Sequence, residues 1–152
     1  MLDQQTALSD GIKAEEFEAY ASGVASRIEL PLDETLEACR LVLQQGVREG
    51  FNSSADPETG ASWPPRKVEG DGHPLLVDTG KMMQAATGGG AGGIKEVDGR
   101  SLTIGVRGSS VPYASIHQEG SARMPQRRFL SASEKTLDEC GDLIADAGLG
   151  WF

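Results

Sequence analysis

The clearest apolar stripe runs from Asp33 to Phe51. Leu36, Cys39, Leu43, Val47 and Phe51 recur every three to four residues, the spacing of one helix face. Asp33 reads as the N-cap. Glu34 and Glu37 follow in the first turns, where the helix dipole favours anions. Gly50, ahead of the polar run Asn52-Ser53-Ser54, marks a stop. A second stripe, Leu137, Cys140, Ile144 and Ala147, predicts a C-terminal helix. Ser131-Ala132-Ser133-Glu134 has the form of a capping box at its start, and Gly148 and Gly150 end it. Residues 11–28 carry a weaker helical pattern in Phe17, Ala21, Val24 and Ile28, and Ile28-Glu29-Leu30 alternates like a short strand.

The middle of the chain is broken up differently. Residues 52–74 hold Asp56-Pro57, Thr59-Gly60, Trp63-Pro64-Pro65, Gly70-Asp71-Gly72 and Pro74, so a long loop is expected. Trp63 inside it must pack either on its own domain or on a neighbouring copy. Leu75 to Ala86 predicts a short helix capped by Asp78 or Thr79, and Gly88 to Gly93 reads as a flexible segment. Ile94–Val97 and Ser101–Val106 form a hairpin joined by Asp98-Gly99. Val111 to His117 reads as a further strand. The order predicts one α+β domain over residues 1–152: a small antiparallel sheet packed against a long helix in the N-terminal half and a C-terminal helix.

Charge changes the picture unevenly. The formal net charge is -9. Residues 1–60 carry 12 acids and 4 bases, residues 61–130 carry 6 acids and 9 bases, and residues 131–152 carry 5 acids and 1 base. The acidic total argues against a general nucleic-acid binder. The asymmetry lets acidic helices of one copy attract the basic middle of another. No apolar run approaches the roughly 20 residues of a membrane span, and Met1 to Asp10 lacks the pattern of a secretory signal. Cys39 and Cys140 are therefore expected as reduced, buried thiols.

Candidate chemistry is sparse. Leu75-Leu76-Val77-Asp78-Thr79-Gly80 resembles the aspartic-protease signature, and Ile104-Gly105 its supporting apolar-Gly element. That chemistry needs two such aspartates sharing a proton, hence a homodimer acting through Asp78. Lys81 stands where the signature has a small residue. Gly80-Lys81 is no phosphate loop, since Leu75 replaces the first glycine and Met82 the Ser/Thr. His73, His117, Cys39 and Cys140 show no paired metal spacing, so neither metal nor cofactor is expected. The basic segment Arg123 to Leu130 lacks the interleaved aromatics of a nucleic-acid site. Its arginines are expected to meet carboxylates, some on a neighbouring subunit.

Five blocks in order carry a resemblance: Arg48 to Phe51; Asp56, Gly60, Trp63 and Pro65; Leu76 to Met82; Tyr113, Ala114, Ile116, His117, Gln118 and Gly120; and Pro125, Arg127, Phe129 and Leu130. In this they resemble the phage virion morphogenesis family, the tail-completion proteins of Mu-like phages. Arg128 stands where the family has Pro, and Ser131 where it has Gly. The resemblance implies a structural virion protein without catalytic residues, assembled in the host cytoplasm and placed at the neck between head and tail. It also implies a homo-oligomeric ring, hexameric or dodecameric, meeting head-completion or portal-adaptor proteins on one side and tail-terminator or tail-tube proteins on the other, with passing contact to DNA and none to membrane. The expected interface residues are Trp63, Arg123, Arg127, Arg128, Phe129, Trp151 and Phe152. Asp78, Thr79, Gly80, Tyr113, His117, Gln118, Gly120 and Pro125 are expected as structural motif residues.

Overall fold

A computed structural model describes residues 32–68 and 72–149. The expected helix over 11–28, the strand at 28–30, and Trp151 and Phe152 lie outside these residues. The elements run α1 (Leu32–Ser53), α2 (Lys81–Ala86), β1 (Gly93–Asp98), β2 (Ser101–Val106), α3 (Ala114–Glu119) and α4 (Glu134–Leu149). The fold class is α+β, as the pattern predicts. The two strands pair antiparallel from Gly93 opposite Val106 to Asp98 opposite Ser101. Helices α1 and α2 contact both strands, whereas α4 packs on α1.

The long helix α1 buries Leu36, Cys39, Val47 and Phe51, four of the five stripe positions, with Leu43 half-buried. It starts at Leu32, so Asp33 lies inside its first turn and is not the cap. Gly50 does not stop it either. The helix runs on to Ser53 and closes where Ser54 turns left-handed at φ 52. Gly50 is needed for space: a Cβ there would sit 2.7 Å from Pro57 Cγ and 2.9 Å from the Ala55 carbonyl.

Three other expectations are corrected. Val111–His117 is not a strand. Val111 and Ala114 are the buried positions, three apart, and the chain winds from Arg107 through turns into α3. The β-forming side chains Tyr113 and Ile116 face outward, so packing overrides their propensity. The hairpin turn is Gly99-Arg100, because the register sets Val97 opposite Leu102, both half-buried, and continues to Asp98 opposite Ser101. The cap of α4 is Ser133, not Ser131. Ser133 Oγ accepts from the Thr136 amide at 3.1 Å. Its inward face is Thr136, Cys140 and Leu143, leaving Leu137 56% and Ile144 40% exposed.

The core gathers Val47, Phe51, Trp63, Met82, Ala85, Ala86, Val111, Ala114 and Phe129. Phe51 is its pivot, edge-on to Trp63 at 5.6 Å and tilted against Phe129 at 5.7 Å. Each such pair adds roughly 0.5–1.5 kcal/mol beyond area burial. At the α1–α4 seam the two thiols are free and buried. Cys39 Sγ donates to the Cys140 carbonyl at 3.7 Å and Cys140 Sγ to the Cys39 carbonyl at 3.8 Å. Burial, and then Cys39 beside it, pushes the Cys140 thiol up to about 11.

Candidate partner-binding groove

The first part of the long loop is a closed structure. Ala55 pairs with Ser62 in an isolated antiparallel bridge. The Gly60 amide reaches the Asp56 carbonyl at 2.8 Å, and the Trp63 amide the Ser54 carbonyl at 2.8 Å. This delivers Trp63 into its own domain, 5% exposed, with Nε1 donating to the Arg128 carbonyl at 3.0 Å. The two packings that the sequence left open for Trp63 are thereby distinguished.

Segment 125–131 lies across this loop and is fixed to it by polar bonds. Arg127, 5% exposed, donates from Nε to the Pro64 carbonyl at 2.8 Å and from Nη2 to the Pro65 carbonyl at 2.9 Å. Arg128 pairs with Asp56 at 2.9 Å and Glu58 at 2.9 Å. Ser131 Oγ donates to Asp56 Oδ1 at 3.0 Å. Arg127 and Arg128, two of the arginines expected to reach a neighbouring subunit, thus find partners within the chain. Arg128 and Ser131, the two departures from the family pattern in this block, both converge on Asp56. Burial alone would raise the Asp56 carboxyl. The Glu58 amide, Arg128 and Ser131 outweigh it and hold the group below its usual range.

The Tyr113–Gly120 block supplies the other half of this clamp. Gln118 Oε1 accepts from the Phe129 amide at 3.1 Å and the Leu130 amide at 3.0 Å, and Nε2 donates to the Leu130 carbonyl at 2.9 Å. The Arg127 amide reaches the His117 carbonyl at 2.8 Å. Gly120 turns away at φ 78, where a Cβ would sit 3.0 Å from the Gln126 nitrogen. Nothing in the spacing of the sequence marks Gln118 as a latch, since it bonds main chain 11 and 12 residues away.

These elements leave a groove of about 730 Å³ between the α2 approach, α3 and the 123–127 segment. Its apolar lining includes Leu75, Leu76, Met82, Tyr113, Met124 and Pro125. Its charged lining is one-sided: Arg66, Lys67, Lys81, Arg123 and Arg127 against Asp78. Among the described residues none of these five cations forms an ion pair. Burial, and then Arg66, lowers the pKa of Arg127 from its usual value; burial, and then Arg127, lowers that of His117. His117 Nδ1 is buried and finds no hydrogen-bond partner among the described residues. Its ring meets Tyr113 edge-on at 6.3 Å.

The remaining expected residues divide between groove and scaffold. Asp78 and Thr79 stand exposed on the groove rim. Gly80, left-handed at φ 75, occupies the cap position of α2 and has no side-chain cap bond of its own, while Thr79 Oγ1 accepts from the Lys81 amide, the first of the helix, at 3.4 Å. Phe129 is buried in the core, while Arg123 is exposed on the rim. The glycine stretch after α2 packs closely. Gly88 is left-handed at φ 81, with Gln44 where a Cβ would lie, and the Arg107 amide bonds the Gly92 carbonyl at 2.7 Å. Among the described residues no three His, Cys, Asp or Glu side chains could hold a metal, and no helix is long and apolar enough to cross a membrane.

No curated protein and no solved structure matches this chain. The family model of virion morphogenesis proteins matches residues 13–147, which takes in the loop, the clamp, the groove and most of α4. The chain belongs to the phage virion morphogenesis family, whose role is in the structure and assembly of the phage particle.

Proposed function

We propose that this protein is a neck or tail-completion component, which joins the filled head to the tail by forming a ring of identical copies. The observation that carries the reading is the groove. Three of the five blocks shared with the family contribute to it: Leu76, Asp78, Thr79 and Met82; Tyr113 and His117; Pro125 and Arg127. They build a surface with an apolar floor and cationic rim, on a chain whose net charge is -9. Such a surface suits the capture of an acidic partner. The partners in this reading are further copies of the chain, head-completion or portal-adaptor proteins above, and tail-terminator or tail-tube proteins below.

The test is genetic and structural. A phage whose copy of this gene is interrupted is expected to accumulate DNA-filled heads and finished tails that do not join, seen by negative-stain electron microscopy. Adding the purified protein to that lysate is expected to restore infectious particles. Joined, infectious particles without the protein would remove the reading.

A further inference from the structure

The groove has a counterpart on the same chain. Helix α4 carries Glu134, Asp138, Glu139, Asp142 and Asp146 against the single base Lys135. Among the described residues none of these acids forms an ion pair. Beside them Leu137 and Ile144 stand 56% and 40% exposed, seven residues apart and so on one side of the helix. An acidic helix with an apolar stripe left outside is the inverse of a groove with cationic rim and apolar floor. No residue of α4 lines that groove.

We propose that the groove of one copy receives the outer face of α4 from a second copy, Leu137 and Ile144 meeting its apolar floor and Asp138 and Asp142 meeting Lys81 and Arg123. This rests on the ring reading above and names the two surfaces that make the ring. The surfaces are different, so each copy offers a groove at one end and a helix at the other. Such a heterologous contact repeats from copy to copy until the rotation closes. Unpaired charges on both sides speed encounter and make the contact sensitive to salt. The exposed leucine and isoleucine supply the apolar part, which salt does not weaken.

The experiment uses full-length chains and sedimentation velocity. One variant reverses the groove, Lys81→Glu with Arg123→Glu; the other reverses the helix, Asp138→Lys with Asp142→Lys. All four side chains are exposed, so circular dichroism is expected to match the wild type. The wild type is expected to self-associate in low salt, and each variant alone to do so at least about tenfold more weakly. Mixed, the two variants are expected to co-assemble to the wild-type mass with the two chains alternating, because the cationic groove of the helix-reversed copy takes the acidic helix of the other, and the acidic groove of the groove-reversed copy takes the basic helix. All four changes in one chain are expected to recover the wild-type mass. Leu137→Ser is expected to weaken association without changing its salt dependence.

Wild-type assembly retained in both variants would overturn this pairing and leave the ring reading standing. A wild type that stays monomeric at every accessible concentration would overturn it as well, while the unjoined heads and tails of the gene-interrupted phage still test the neck role separately. Binding of a short DNA duplex that is lost on Lys81→Glu with Arg123→Glu, with self-association unaffected, would assign the groove to nucleic acid and overturn the proposal.

Discussion

The side-chain amide of Gln118 pairs with the main chain of Leu130 in both directions, accepting from its amide at 3.0 Å and donating to its carbonyl at 2.9 Å. The same oxygen accepts from the Phe129 amide at 3.1 Å. One glutamine thus does for this segment what a neighbouring strand would do. Gln118→Ala leaves all three groups short of a partner in a half-buried place. The expected cost is about 2 kcal/mol, lowering Tm by roughly 4–8 °C for a chain of this size. Gln118→Glu keeps the acceptor and is expected to cost less. Calorimetry on both variants checks the ordering.

Gly50→Ala offers a case where helix propensity and packing disagree in sign. In an open helix, alanine is better than glycine by about 1 kcal/mol. Here the added methyl meets Pro57 Cγ at 2.7 Å and the Ala55 carbonyl at 2.9 Å, and the carbonyl belongs to the closed loop. The substitution is expected to destabilise, by roughly 1–3 kcal/mol. Denaturant titration with a higher midpoint than wild type would show the loop moving freely out of the way.

As one of the expected interface residues, Arg127 would tolerate a change to Glu with the fold intact. Its bonds to the Pro64 and Pro65 carbonyls change that expectation. A carboxylate there faces two carbonyl oxygens, and the variant is expected to lose stability. Arg127→Lys cannot span both acceptors. It is expected to keep the fold while opening residues 64–68 to limited proteolysis well before wild type. Equal cleavage rates would mean that the clamp does not hold the loop.

The two free thiols lie in the α1–α4 seam and exchange hydrogen bonds with each other's carbonyls. With Cys140 pushed up to about 11, the reactive thiolate is scarce at neutral pH. Thiol reagents at pH 8 are expected to modify neither cysteine in the native protein and both after denaturation. Because the folded value is the higher one, the contribution of Cys140 to stability is full below the ordinary value of 9.0 and declines as pH rises toward about 11. Chemical melts between pH 8 and 11 are expected to show the decline, and Cys140→Ala to remove it.

On the acid side two groups act in the same direction. His117 is lowered by burial and then by Arg127, so the unfolded chain takes up its proton first. Its contribution is present above about 6.5 and is lost as pH falls through its folded value. Asp56 is also lowered, by the Glu58 amide, Arg128 and Ser131 against the opposing effect of burial, and its contribution is lost below the ordinary 3.8. Thermal melts are expected to show two separate losses, the first blunted by His117→Gln and the second by Asp56→Asn.

Much of this was legible in the chain, for reasons that differ by element. Helix α1 follows from periodicity, because it buries one face against a continuous neighbour, and the hairpin from the Asp98-Gly99 signal, one residue away from the turn the register sets. The stripe on α4 misled in part: Leu137 and Ile144 have the right spacing but point away from α1, and only Cys140 of the stripe is buried. Val111–His117 looked extended because Val, Tyr and Ile favour strands, yet burial selects Val111 and Ala114 three apart. Within the site, the basic segment and the aromatic Trp63 were recognisable as functional types, but their direction was not. That direction depends on the loop closing through main-chain bonds such as Trp63 to Ser54, which leave no trace in residue type. The role of Gln118 was hidden for the same reason.

The clamp between the 54–65 loop and the 125–131 segment joins residues 62 to 75 positions apart. During synthesis, then, Phe51 and Trp63 leave the ribosome long before Phe129 and Arg127 exist to cover them. The first half of the chain must wait as an open, aromatic-bearing intermediate until about residue 130 has emerged, and only then can the core close in one step. Until then the solubility of such a chain rests on its acidic first 60 residues, which carry 12 acids and 4 bases.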